Sequence, residues 1–422
     1  MSAVAIDRSK YLPYLKERWI EPNAIQLAIF QNAPLLGLLE KEADEMGGRY
    51  MHVPLMRVGP VGRSASYTKA RSNAIGSTMV GFDVTYVSNY QIVFFDGNAV
   101  DDAGGNDNAI ADLVDNEMTA GMATLRKDMQ QGVFGNVGGS RGRIGSIATG
   151  NAGANCRIVL LNITDSKFFE EGMLLAASAN DGTATGHTLR GSGATIAVTA
   201  IDRIAGYLEF ASDVTATISG LTANDYLFVD GDFKSKMTGL AGWFPVTAPT
   251  TGDNLFGIDR SINVNVLSGL RKDISGVAIE QGLVDAAADA DLYDAHFDLY
   301  VINPVRWGKF ANSLGADRAN RLTDLVGSAG KATVSYRAIQ VSTNFGDVPV
   351  VADGGCPLGD GYGLTKASLK IGHVGGDLVR IVEDDGLMLR RETTIGDGWA
   401  LDIKGRSNLA CKQPGQNMHL TF

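Results

Sequence analysis

Apolar residues along this chain change their spacing several times, and each change marks a new element. Over Ile110, Leu113, Val114, Met118, Met122, Leu125, Met129 and Val133 they recur every third or fourth position, the signature of one helical face. Asp107 or Asn108 stands where an N-cap belongs, acids fill the first turns, Arg126 and Lys127 fall late, and Gly132 and Gly135 close the run. The spacing predicts one helix over 106–134, about 35–40 Å long at ~1.5 Å per residue. An element of that length reads as a spine.

Before it the period is two. YMHVPLMRV and FDVTYVSNYQIVFF alternate apolar and polar positions, and GPVGRSASYTKARSNAIGST between them is polar and dotted with glycine. Two long strands and a polar tip predict an extended hairpin over 49–97. An isolated ribbon is marginal in water, so something must cover it. Upstream, Ile25, Leu27, Ile29, Phe30, Leu35, Leu36, Leu38 and Leu39 exceed one amphipathic face. Pro34 divides this stretch into two short helical pieces, and Gly47-Gly48 ends it. Residues 1–48 therefore form a helical arm that docks on the chain's own core or on a neighbour; the residues leave both open.

After the helix comes a glycine-rich linker, GNVGGSRGRIGSIATGNAGAN. Short alternating runs follow, CRIVLLNI, MLLAAS, TIAVTAID, YLEFAS and YLFVDG, parted by turn clusters. They predict a small barrel or sandwich over 155–235, inserted into the host fold. From 236 to 352 helix and strand mix: SGVAIEQGLVDAAADADLY is helical, and HFDLYVINPVRWGKFANSL is strand, turn and helix. Residues 353–422 are mostly strands. The fold class is α+β.

Composition narrows the picture. With 422 residues the chain supports more than one core, and 45% hydrophobic with 20% charged residues is ordinary globular balance. The 52 glycines fit a β-rich chain with many turns. A net charge of −10 excludes a protein that grips nucleic acid by counterion release, though not one that merely encloses it. Cys156, Cys356 and Cys411 are far apart and odd in number, as free thiols of a reducing cytoplasm are. No signal-like or membrane-spanning apolar run is present, so a soluble protein made inside a cell is expected.

Candidate chemistry is thin. GGSRGR and DGGCPLGDGYG lack the Lys-Ser/Thr ending of a phosphate loop. His52, His187, His296, His373 and His419 are scattered without zinc spacing. Asp285, Asp289, Asp291 and Asp294 lack the glycine and bidentate glutamate of a calcium loop, and Glu383-Asp384-Asp385-Gly386 reads as a turn. No nucleophile elbow occurs. No catalytic, cofactor-binding or metal-ligating residue is expected, and an enzyme is not.

The order of parts, arm, hairpin, spine helix and mixed region, resembles the major capsid proteins of tailed double-stranded DNA bacteriophages, the Hong Kong 97-type fold. The passage AIFQNAPLLGLLEKEADEMGGRYMHVPL…GRSASYTKA resembles their arm and loop. DLYVINPVRWGKF resembles their strand, Asn-Pro turn and tryptophan-bearing helix, and GDVPVVADGGCP and RSNLACKQPGQN also look like shell-protein passages. The resemblance implies an arm at 1–48, an extended loop at 49–97 lying over the adjacent subunit, and a peripheral domain with the spine helix at 98–154. It further implies an axial domain at 236–352, with 353–422 supplying remaining axial and peripheral strands. The barrel departs from the minimal pattern and resembles an insertion domain.

By the same resemblance, Leu35, Leu36 and Leu38 of the arm and Arg63, Tyr67, Lys69 and Arg71 of the loop are inter-subunit contacts. The implied assembly is hexamers and pentamers of an icosahedral shell, formed in the bacterial cytoplasm and ending in the virion. A separate scaffolding protein, a portal and decoration proteins are the implied partners, with DNA packaged without sequence-specific binding and no membrane. Some relatives carry a Lys–Asn crosslink; Lys69 with Asn408 or Asn417 would be the candidates, but no motif pairs them and a crosslink is not expected. The alternatives are an encapsulin-type nanocompartment, told apart by a co-purifying enzyme, and an enzyme with a β-rich auxiliary domain, which would need a cleft of perturbed acids or bases.

Overall fold

The structure is a computed structural model that describes residues 32–44, 49–96, 107–184, 186–315, 321–329, 332–375, 378–382, 389–392 and 398–422. Residues 1–31 of the expected arm, the Gly47-Gly48 pair and the 383–386 turn lie outside the described residues.

The chain enters through a short helix, α1 (Pro34–Leu38), with Pro34 in its first turn, where a missing N–H costs nothing. The charged run after it is not helical, as the arm expectation had it. Glu40–Asp44 is a strand, β1, because β19 (Leu369–Val374) offers it a parallel ladder from Glu40↔Lys370 to Asp44↔Val374. Next, β2 (Tyr50–Val58) and β3 (Thr78–Thr85) pair antiparallel as a two-stranded ribbon, with a six-residue helix, α2 (Tyr67–Ser72), at the tip.

The expected hairpin over 49–97 ends early. At Tyr86 the chain leaves the ribbon, and β4 (Val87–Asp96) runs along β22 (Gly398–Cys411) through ten paired positions. The alternation of 82–95 thus serves two different sheets, which a period of two cannot reveal. β22 is also the partner of β19, β20 (Val379–Ile381) and β21 (Leu389–Glu392), forming a six-stranded sheet.

Under that sheet lies the long helix α3 (Asp107–Phe134). Its Met118, Met122, Leu125, Met129 and Val133 are buried in the main core. Gly121 sits where any side chain would overlap Val93 of β4, so a bare backbone lets the two approach.

The barrel closes with six strands in the order β10-β5-β6-β9-β8-β7: β5 (Gly142–Gly150), β6 (Gly153–Leu160), β7 (Leu174–Ser178), β8 (Ile196–Asp202), β9 (Tyr207–Phe210) and β10 (Tyr226–Val229). The supposed linker supplies β5, so the barrel begins near 142 rather than 155. Glycines hid it: β5 pairs β6 through two irregular steps, at Ile144/Ser146 and Ala148/Gly150. Ile144, Ile158, Phe169, Leu175, Leu208, Phe210 and Leu227 give the barrel a core of its own.

Beyond β11 (Asn254–Leu255) and β12 (Ile258–Asp259), which pair with each other, comes a seven-stranded sheet. Its order is β13 (Leu270–Asp273), β23 (Met418–Thr421), β18 (Asp360–Leu364), β14 (Leu299–Ile302), β17 (Gly346–Ala352), β16 (Ala332–Thr343) and β15 (Leu322–Ala329). Leu283, Ala286 and Ala290 of α4 (Ile279–Asp291) and Phe310 of α5 (Pro304–Ser313) share one core with Tyr300, Ile339 and Val350. Asn303 caps α5 by accepting from Val305 N at 2.9 Å while its amide donates to Cys356 O at 2.8 Å. Residues 353–422 thus divide between two sheets, and the last strand enters the seven-stranded one between β13 and β18.

Candidate assembly surfaces

The ribbon has two unlike faces. Val53, Leu55, Phe82 and Val84 turn inward into the chain's main core, where Phe82 meets Trp243 edge-to-face with centroids 5.0 Å apart. Trp243 is itself pinned by Nε1 donating to Leu409 O at 3.0 Å. The base of the ribbon therefore rests on its own subunit. Its outer face, with Met56 opposite Met79, is exposed, as are Val61 and Ile75, which bridge the tip. Tyr67 at the start of α2 is 76% exposed.

Charge marks the same segment. Between Arg49 and Phe82 the chain has five Arg or Lys residues, Arg49, Arg57, Arg63, Lys69 and Arg71, and no Asp or Glu, within a protein of net charge −10. Arg63, Lys69 and Arg71 are exposed, and no carboxylate among the described residues pairs with them. The tip thus combines exposed apolar side chains with cations that no carboxylate among the described residues answers.

The arm residues fare differently. Leu35 and Leu36 are fully buried in the chain's own core, and Leu38 packs half-buried against it. Within this chain Leu35 and Leu36 are thus sealed in the core, and Leu38 keeps part of its surface open. The cause is Asp353, whose fully buried carboxylate accepts from Leu35 N at 2.9 Å, Gly355 N at 2.7 Å and Gln130 Nε2 at 2.6 Å. Gln130 of α3 also donates to Asn32 O at 3.2 Å. The entry to α1, the long helix α3 and the turn after β17 are tied at one point. Burial pushes the Asp353 carboxyl above its ordinary range, against those three donors.

A second tie joins the barrel to the body. Asp128 of α3 pairs with Arg141, just before β5, and with Lys236 at 2.9 Å, just after β10. Asp232 meets Arg141 at 3.3 Å and Lys236 at 3.2 Å, and Asn89 of β4 donates to Asp128 at 2.6 Å. Both connections of the barrel are thereby clamped to the spine helix. Burial works against the Asp128 charge, but the Arg141 and Lys236 cations outweigh it and hold this carboxyl below its ordinary range.

The Lys–Asn crosslink finds no support in the geometry. Asn408 is buried, accepting from Thr238 N at 2.9 Å and donating to Thr85 O at 2.7 Å. Asn417 is buried too, accepting from Thr365 N at 2.9 Å and donating to Ser368 Oγ at 2.9 Å. Neither amide is open to a lysine from outside. Among the described residues no group of three or more His, Cys, Asp or Glu side chains could hold a metal ion, and no helix is long and apolar enough to cross a membrane.

The sequence matches no protein-family model and no curated protein. Solved structures do match. The capsid subunit of cyanophage A-1(L) superposes with a TM-score of 0.50 at 10% identity, covering 92% of each chain. The capsid of Myoviridae phage XM1 matches with a TM-score of 0.44 at 9% identity, over 92% of this chain and 91% of that one. The SrpI encapsulin of Synechococcus elongatus gives 0.41 at 8% identity, over 96% and 88%. The architecture is the Hong Kong 97-type capsid fold, α+β, with a small closed barrel inserted.

Proposed function

We propose that this chain is the major capsid subunit of a tailed double-stranded DNA phage, a structural protein without catalytic activity that assembles into hexamers and pentamers of an icosahedral shell. The observation that carries this is the ribbon tip: on a capsid-type fold, residues 59–77 project with apolar and cationic side chains that their own chain does not answer. Arg63, Tyr67, Lys69 and Arg71 contact the adjacent subunit, as loop residues of a head-to-tail ring do. Permanent interfaces of this kind bury about 2,000–5,000 Å² each, and ring closure multiplies contacts that are weak singly.

The shell encloses DNA without reading it, since its net charge of −10 gives no basic wall for phosphate. Separate scaffolding, portal and decoration proteins complete the particle, which forms in the host cytoplasm and becomes the virion. The test is expression of the chain and negative-stain microscopy of the product. Shells or rings of five and six support the proposal; a monodisperse monomer at high concentration, with scaffold supplied, overturns it. A shell purifying with a bound enzyme instead of DNA would reassign it as a nanocompartment.

A further inference from the structure

One side of α4 is buried through Leu283, Ala286 and Ala290, and the other is uncovered. Gln281, Asp285, Ala288 and Leu292 follow one another at helical spacing and are all exposed. Leu292, at the end of the helix, is 79% exposed, and Tyr293 after it is 58% exposed. This end is pinned in place. Asp294 takes a left-handed φ of 56°, and its carbonyl accepts from Gln416 Nε2 at 2.8 Å, while His296 N donates to Gln416 Oε1 at 3.3 Å. Two large apolar side chains are thus held out in water.

Charge on this face is equally one-sided. From Asp273 to Val305 the chain holds seven Asp or Glu residues and no Lys or Arg. Lys272 and Arg321 answer Asp289 and Glu280, whereas Asp285, Asp291 and Asp294 form no ion pair among the described residues. No basic residue stands in the last turn of α4, where the helix dipole favours cations and disfavours acids. Neither the bare Leu292 and Tyr293 nor the acids at a helix C-terminus stabilise the isolated chain.

An acidic face of this kind cannot pair with a second copy of itself, because like charges would meet. The same chain carries a segment of the opposite make-up, the ribbon tip, where exposed Val61, Tyr67 and Ile75 stand among Arg63, Lys69 and Arg71 without an acid. The exposed Tyr90 and Ile92 of β4 are no rival for it. The cations beside them lie over their own chain's rings, Lys404 over Tyr90 at 5.2 Å and Arg406 over Tyr86 at 6.0 Å.

We propose that the exposed end of α4 receives the ribbon tip of a neighbouring copy, with Tyr67 against Leu292 and Tyr293, and with Arg63, Lys69 and Arg71 facing Asp285 and Asp291. The assignment rests on the reading of the tip as an inter-subunit contact and names the surface that it meets. Such a contact is heterologous, tip of one copy on the helix of the next, so it propagates round a ring.

D285K with D291K tests it in the full chain; Asp289 is left in place because it holds Lys272. Cations near a helix C-terminus suit the dipole, so the melting temperature of D285K/D291K should hold or rise. Its assembled fraction in sedimentation should nevertheless fall by about tenfold or more, as like charges now face each other. Adding R63E, K69E and R71E to that chain brings opposite charges together again and should restore most of the assembly. If D285K/D291K does not fold, L292S/Y293S, which changes only exposed side chains, should show the same loss. Normal assembly of either variant, or no rescue in the fully reversed chain, overturns the proposal while the role of the tip stands. Normal assembly of the R63E/K69E/R71E chain would overturn both.

Discussion

Close backbone passages are where single residues matter most. Gly239 precedes the turn that carries Trp243, and any side chain there would overlap the carbonyl oxygens of Gly132 and Val133 at the end of α3. Backbone atoms in a packed helix end cannot move aside cheaply. Gly239→Ala should therefore cost about 3 kcal/mol, seen as a lower denaturant midpoint with the slope unchanged. Trp243→Phe keeps most of the apolar contact with Phe82 but strands the Leu409 carbonyl that accepts its indole N–H. A loss of about 2 kcal/mol is expected in the same measurement.

Elements are joined by ties, and the clamp is the one whose pH behaviour can be worked out. The Asp128 carboxyl sits below its ordinary value in the folded chain, so it contributes stability above the usual carboxylate range and loses it as pH falls through the lowered value. Asp128→Asn removes one of the two carboxylates that face the buried cations Arg141 and Lys236, leaving Asp232, and should cost about 2 kcal/mol at neutral pH. The difference from wild type should shrink in acid. Thermal melts of both proteins between pH 3 and 7 check this, and parallel curves would disprove the assignment. The barrel's own core should meanwhile keep its far-UV signal, since none of its residues reach the clamp.

At the scale of the whole molecule, the ribbon tip combines exposed apolar residues with cations that no carboxylate among the described residues answers. Deleting residues 59–78 removes only the exposed tip and leaves Val53, Leu55, Phe82 and Val84 in the core. The product should be folded and soluble by circular dichroism yet form no shells by electron microscopy; intact shells from it would refute the role given to the tip. Reversing charge with R63E, K69E and R71E together should leave the melting temperature within a few degrees, because exposed unpaired charges contribute little to folding. Sedimentation should show assembly lost or strongly weakened by the same three changes.

Period and punctuation alone reach far into this fold. The spine helix, the first ribbon strand, five barrel strands and the Asn303-Pro304 helix start are all legible as local patterns, because each answers to contacts a few residues away. The exposed cations of the tip are legible for a related reason: a run without acids is a property of the string itself. What no local pattern holds is the choice of partner. Glu40–Asp44 looks helical until β19 provides a ladder, the alternation at 82–95 belongs to two sheets, and glycine-rich 142–150 becomes a strand only once β6 and β10 flank it. Leu35 and Leu36 show the same limit at the surface: apolar text cannot say whose core it enters. Here a buried carboxylate more than three hundred residues away settled it, through long-range hydrogen bonding that exists only after the chain has closed on itself.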